Sequence, residues 1–249
     1  MSKTPWTLTR DMFLSEGEAG RLLGHLARRV RDAAPNARLV ASVDRLIVES
    51  LLLSGLRNSE FCALRLADTI LGRQQSVFAV AGTPREDRTV LVPAALSRRL
   101  VEYVRDVRPG LLPPAIDPRD LTQPLIFNER RQPYERTGLY RRVVRILTDA
   151  GFRDRASVQF LRHSYGFLAY QRSGGNLMFV QRQLGHAHPG VTAIYDQFLD
   201  RSEPDLVERI AAGLSAPDDA SPSPKRRPAK HRSPNLAGAS DASARRKPQ

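Results

Sequence analysis

Between Ser15 and Leu214 the apolar residues recur at helical spacing in one block after another, and they alternate in only one place. A chain patterned this way is predicted to fold as a mainly α, α+β domain with a single small sheet. Ser15 and Glu18 stand at capping-box spacing ahead of Leu22, Leu23, Leu26 and Val30, which predicts a helix over 16–33. A second helix, over 39–53, closes at Ser54-Gly55, where glycine can turn left-handed, and a third runs from Arg57 to 66. Val77 to Val80 and Thr89 to Val92 flank a polar connection and read as a β-hairpin. Pro93 then opens a helix to 107, with Leu96, Leu100, Tyr103 and Val104 on one face. The proline-rich stretch 109–124 is a loop, Leu125 to Phe127 a brief strand, and Thr137 the cap of a helix carrying Leu139, Val143, Ile146 and Leu147. Further helices are predicted over 160–172, 176–184, 190–199 and 203–213, separated by Ser173-Gly174-Gly175, Gly185 and Pro204.

The domain is expected to end at Leu214. Residues 215–249 hold six prolines and no aromatic residue, so they lack the apolar surface that would offset chain entropy and read as a disordered tail. Eight basic residues against three aspartates make that tail positive, and the formal net charge of the 249-residue chain is +13. The tail is either a solvated extension or an arm that tethers DNA. Of the 39 Lys and Arg residues only Lys3, Lys225, Lys230 and Lys247 are lysines. So much arginine favours a polyanionic partner, because its planar fork matches phosphate, and nucleic acid is the first candidate. The single cysteine, Cys62, excludes an intramolecular disulfide framework. No His and Cys cluster has metal-ligand spacing, no metal or cofactor is expected, and no apolar run is long enough to span a bilayer. The expected location is the cytoplasm, in association with the nucleoid.

Three segments carry chemistry when taken together. They are Ser54-Gly55-Leu56-Arg57-Asn58-Ser59-Glu60, then Gln159-Phe160-Leu161-Arg162-His163-Ser164-Tyr165, and finally Leu184-Gly185-His186 with Tyr195 nine residues on. In these segments the chain resembles the tyrosine recombinase (phage integrase) family, whose first box reads T-G-L-R-x-S/G-E, whose second opens H-x-L-R-H, and which continues to L-G-H and a tyrosine nine residues later. The resemblance covers about 14–214, in order and with matching gaps. It implies strand cleavage and rejoining of duplex DNA through a 3′-phosphotyrosyl intermediate. Arg57 and Arg162 would hold the non-bridging phosphate oxygens, His186 would add a donor, Tyr195 would attack phosphorus, and His163 would support them. Taken singly, each has a plainer reading: Arg57 paired with Glu60, Arg162 salt-bridged at the surface, His186 capped or hydrogen-bonded, Tyr195 part of the core.

Three departures from the pattern bear on the chemistry. Gln159 stands where the second box has its first histidine, and glutamine can donate a hydrogen bond but cannot exchange a proton near neutral pH. The family's hairpin lysine, the acid for the leaving 5′-oxygen, falls at Thr83 here, and no lysine lies between residues 4 and 224. Arg85, on the same turn, either donates electrostatically to that oxygen or is an ordinary solvated arginine, and it is a poor acid in either case. The two helices before Arg57 match the start of the catalytic domain, with no separate N-terminal DNA-clasping domain ahead of them. That implies a minimal recombinase helped by its tail or one dependent on an accessory DNA-bound protein. Helix 203–213, with Leu206, Ile210 and Leu214 on one face, either packs on its own domain or docks on a neighbour in a tetramer on DNA. The alternatives to a recombinase are a noncatalytic DNA-binding relative, for which Gln159 and Thr83 speak, and a helical protein-interaction module.

Overall fold

The structure, a computed structural model, describes residues 8–82 and 87–199. The proposed turn residues Thr83 and Arg85, helix 203–213 and the tail 215–249 lie outside the described residues.

The fold is mainly helical, with one small antiparallel sheet. Helix α1 (Glu16–Asp32) starts at the predicted capping box: Ser15 Oγ accepts from the Glu18 amide, and the Glu18 carboxylate accepts from the Ser15 amide. Helix α2 (Pro35–Ser54) begins four residues earlier than periodicity indicates, because Pro35 fits the first turn, where no amide donor is needed. It is the central element, burying Val43, Leu46, Ile47, Val48, Leu51 and Leu52 against α1 and later helices. Gly55 closes it at φ +67°, as expected. Helix α3 (Asn58–Ala63) is shorter than predicted, and Arg57 is its cap rather than its first turn.

The expected hairpin is two-thirds of a sheet in chain order, β1 (Thr69–Leu71), β2 (Ser76–Val80) and β3 (Arg88–Val92). Three residues carry too little alternation to reveal β1 in the sequence. Phe78 faces Val90 across the register, and both are buried with Val80 and Val92. The outer edge of β3 is closed by a side chain: the Leu91 amide donates to Gln183 Oε1 at 3.1 Å.

Helix α4 (Ala94–Glu102) does not continue evenly to 107. It widens into a π turn at Tyr103–Val107 and tightens into a 3-10 turn at Arg108–Leu111. That change of pitch buries Arg108, which is 1% exposed and donates to the carbonyls of Pro118 (3.2 Å), Pro124 (2.9 Å) and Leu125 (3.2 Å). The proline-rich loop is thereby fastened to the core. Leu125 to Phe127 form no strand; their neighbourhood has only isolated bridges, Arg65 with Pro124 and Phe127 with Pro133. Helix α5 (Arg136–Asp149) is capped at Glu135, not Thr137, since the Glu135 carbonyl already accepts from Leu139.

Helix α6 (Val158–Arg172) is capped by Ser157, and α7 (Leu177–Leu184) by Asn176. The helix expected over 190–199 is broken into α8 (Pro189–Ala193) and a 3-10 turn at Asp196–Phe198. The break turns Tyr195 inward. There it joins Leu8, Phe13, Phe167, Tyr170, Val180 and Leu184 in a second, smaller core.

Candidate active site

Arg57, Arg162, His186 and Tyr195 come from four separate stretches, and the fold gathers them around the turn that ends α7. Gly185 takes a left-handed conformation (φ +63°), which points successive carbonyls of this turn at the two arginines. Arg162 Nη2 donates to the Leu184 carbonyl at 2.6 Å and Nη1 to the Gly55 carbonyl at 2.5 Å. Arg57 Nη2 donates to the Gly185 carbonyl at 2.8 Å. Adjacent carbonyls thus anchor guanidinium groups that are 105 positions apart in sequence.

Arg162 is 4% exposed and paired with carbonyls, so the alternative of a salt-bridged surface arginine is wrong. Burial, reinforced by the nearby positive charge of Arg57, brings its pKa down to about 9, which still leaves it charged at neutral pH. Arg57 does pair with Glu60, at 2.5 Å. Burial opposes ionisation of Glu60, but hydrogen bonds from Arg88 and the Arg57 amide outweigh it and hold the carboxyl down at about 2.

Tyr195 is buried at 1% exposure, with its ring over the bare Cα of Gly166. A methyl group added at Gly166 would lie 2.3 Å from the phenolic oxygen. That hydroxyl shares a hydrogen bond with His163 Nδ1 at 3.2 Å. Burial raises the phenol to about 12, with Arg162 pulling in the other direction. Tyr195 is therefore protonated and sheltered. His186 is half-buried, its Nδ1 hydrogen-bonded with Thr192 Oγ1 at 2.8 Å, which ties it to α8. Gln159 is exposed on the first turn of α6, three residues before Arg162 and so on the same side of the helix.

Two contributors escaped the sequence reading. Arg88, at the start of β3, grips Glu60 with both terminal nitrogens, at 2.7 and 2.9 Å. Its only signal was a charge at the head of an apolar strand. Gly166 was unremarked because a helical glycine is usually read as tolerated rather than needed. Among the described residues no group of three or more His, Cys, Asp or Glu is placed to hold a metal ion, and no helix is long and apolar enough to cross a membrane.

His163 gives the site a measurable pH signature. Burial, then the charge of Arg162, lowers its pKa from 6.5 to about 4. The unfolded chain takes up a proton near 6.5 and the folded chain does not until about 4, so this contribution to stability is complete above 6.5 and is lost as pH falls through that window. Urea melts at pH 7 and pH 5 are expected to differ by about 2 kcal/mol more in the native chain than in His163→Gln. Equal differences in the two proteins would show that His163 titrates normally.

Residues 14–201 match the family described as the phage integrase family. The chain is similar to the tyrosine recombinase XerC of Lactobacillus leichmannii, 29% identical over 173 residues that make up 70% of this chain and 55% of the relative. It is also similar to the tyrosine recombinase XerC of Halalkalibacterium halodurans, 32% identical over 152 residues, 61% of this chain and 49% of the relative. The chain thus spans about half the length of these curated relatives. Its fold is similar to that of the XerH site-specific recombinase, solved in a pre-cleavage complex with its difH substrate; the TM-score is 0.64 at 24% identity, covering 86% of this chain and 57% of that one.

Proposed function

We propose, since the chain belongs to the phage integrase family, that it cleaves and rejoins duplex DNA through Tyr195. The observation that carries this is the convergence of Arg57 and Arg162 on the adjacent carbonyls of Gly185 and Leu184, with Tyr195 hydrogen-bonded to the residue that follows Arg162. The carbonyl bonds fix the plane of each guanidinium fork, so both reach a phosphate already oriented.

In the reaction the phenolic oxygen of Tyr195 bonds to phosphorus while the bond from phosphorus to the 5′-oxygen breaks. The phenol loses its proton and the departing 5′-oxygen gains one. The products are a 3′-phosphotyrosyl link and a 5′-hydroxyl, and rejoining is the reverse. Because the phosphoester is conserved, no nucleotide is consumed. Arg57 and Arg162 neutralise charge building on the non-bridging oxygens, and His186 adds a donor to the same centre. Gln159, exposed near Arg162, gives phosphate a hydrogen bond without exchanging a proton. His163 holds Tyr195 until DNA is present. Of Thr83 and Arg85, in the sequence between β2 and β3, Arg85 is the candidate donor toward the leaving oxygen.

The partner is double-stranded DNA, with 1–214 as the catalytic domain and 215–249 as a basic tether. Residues 203–213 are the proposed link between subunits of a homotetramer on DNA, and an accessory DNA-binding protein is the alternative partner to the tail in strengthening the grip on DNA. The test is to incubate the chain with nicked duplexes that lose the 5′-hydroxyl strand on cleavage, denature, and locate the linked residue by mass spectrometry. A phosphotyrosine at Tyr195 is expected. Binding with no adduct on a panel of such duplexes would move the reading to a noncatalytic DNA-binding relative.

A further inference from the structure

Glu60 is fully engaged. Its Oε1 accepts from Arg57 Nη1 at 2.5 Å and Arg88 Nη1 at 2.7 Å, and its Oε2 accepts from the Arg57 amide at 2.7 Å and Arg88 Nη2 at 2.9 Å. Two guanidinium groups therefore share one carboxylate, 11% exposed, and one of them belongs to neither sequence box.

Arg88 also leans on the turn that receives the other arginines. Its Nε donates toward the Gln183 carbonyl at 3.4 Å, and its side chain crosses the open face of Gly185 so closely that an added Cβ there would sit 2.8 Å from Nε. Arg57 holds the Gly185 carbonyl while Arg88 lies against its Cα. Arg88, on β3, thus bears on both the first-box arginine and the turn leading to His186.

Charge explains what this arrangement accomplishes. With Arg57 and Glu60 alone, the carboxylate would cancel the guanidinium, and a phosphate would compete with it for the same donors. Arg88 supplies the compensating cation. Among the described residues Arg57, Arg88 and Arg162 then face one carboxylate, Glu60, a local charge of +2. A phosphodiester brings one negative charge and an attacking phenolate a second, so the cluster matches the transition state rather than either reactant.

We propose that Arg88 is a positioning residue for strand transfer: it occupies Glu60 so that Arg57 stays oriented and cationic toward the scissile phosphate, and it braces the Gly185 turn. This rests on the strand-transfer reading above. Arg88 does not touch DNA in this role; it acts through Glu60 and Gly185.

The experiment compares the full-length chain with Arg88→Met, Arg88→Lys, and Arg88→Met combined with Glu60→Gln. Single-turnover adduct formation is measured at saturating nicked duplex, duplex affinity is measured separately, and each fold is checked by thermal melting. Arg88→Met is expected to slow adduct formation about 10²- to 10³-fold, the usual loss for one preorganised electrostatic contributor, with duplex affinity changed less than about threefold. Arg88→Lys keeps the charge but not the two-pronged grip, and about a tenfold loss is expected in a normally folded protein. Adding Glu60→Gln to Arg88→Met removes the surplus carboxylate and is expected to restore the rate by about tenfold or more. A purely structural Arg88 predicts no rescue, so a double variant no faster than Arg88→Met overturns the proposal, as does a native rate in a folded Arg88→Lys or Arg88→Met protein. If the native chain itself forms no adduct, the strand-transfer reading fails and this role falls with it; a native adduct with indifferent Arg88 variants removes only the role of Arg88.

Discussion

Replacing Tyr195 with phenylalanine is expected to abolish the covalent DNA adduct altogether while leaving duplex affinity and fold nearly unchanged. Phenylalanine keeps the ring that packs over Gly166 among Phe13, Phe167 and Leu184, and removes only the atom that would bond to phosphorus. The lost hydrogen bond to His163 is 3.2 Å long and neutral, so about 1 kcal/mol of stability is at stake. A denaturing gel of both proteins on a nicked duplex checks the chemistry, and a thermal melt checks the fold. An adduct of undiminished yield from the phenylalanine protein would assign the attack to another residue.

The second large effect is one of stability. Alanine at Gly55 is expected to destabilise the domain by about 2–5 kcal/mol, from a left-handed backbone costing about 1–2 and overpacking costing about 1–3. Gly55 has φ +67°, and a Cβ there would lie 2.4 Å from Tyr165 Cδ1 and 2.7 Å from Leu184 Cδ2. Relief by moving Tyr165 or Leu184 would disturb Arg162, which donates to both the Gly55 and Leu184 carbonyls. A melting midpoint lower by about 10 °C is expected for a domain of this size. Activity should fall even at temperatures where the variant is folded. A midpoint within about 2 °C of the native value would show that the α2 terminus relaxes freely, contrary to its packing.

Much of this was visible in the order of residues. The helices α1, α2, α6 and α7 follow from apolar spacing, with the cap at Ser15 and glycine stops at Gly55 and Gly185; the caps at Ser157 and Asn176 were found only in the structure. Those features are local, and local features are what sequence patterns encode. The errors arose where distant contacts decide. Strand β1 exists because β2 pairs with it, not because Thr69-Ile70-Leu71 alternates. The helix after Pro93 changes pitch where Arg108 reaches back to carbonyls of the proline-rich loop, a contact no local pattern encodes. The break after Ala193 follows the burial of Tyr195 against Gly166, a contact spanning 29 positions. At the site the spaced motifs named Arg57, Arg162, His186 and Tyr195, yet none of them included Arg88. No spacing rule links it to Glu60, since the two meet only after the sheet has folded against α3 and α7.

The closure of the sheet edge by Gln183 also restricts where motion can start. Helix α7 is stitched to β3 through that amide, to Arg162 through Leu184, and to Arg57 through Gly185. A displacement of the whole helix would break all three at once. On the proposed strand-transfer reading, any travel that frees Tyr195 from its seat would fall to the residues after the left-handed Gly185, while Arg57 and Arg162 keep their carbonyl anchors. On that same reading the helix is a fixed anvil and the segment after it the striker, so a ligand or neighbour that changed reactivity without weakening DNA affinity would be expected to act on the striker alone.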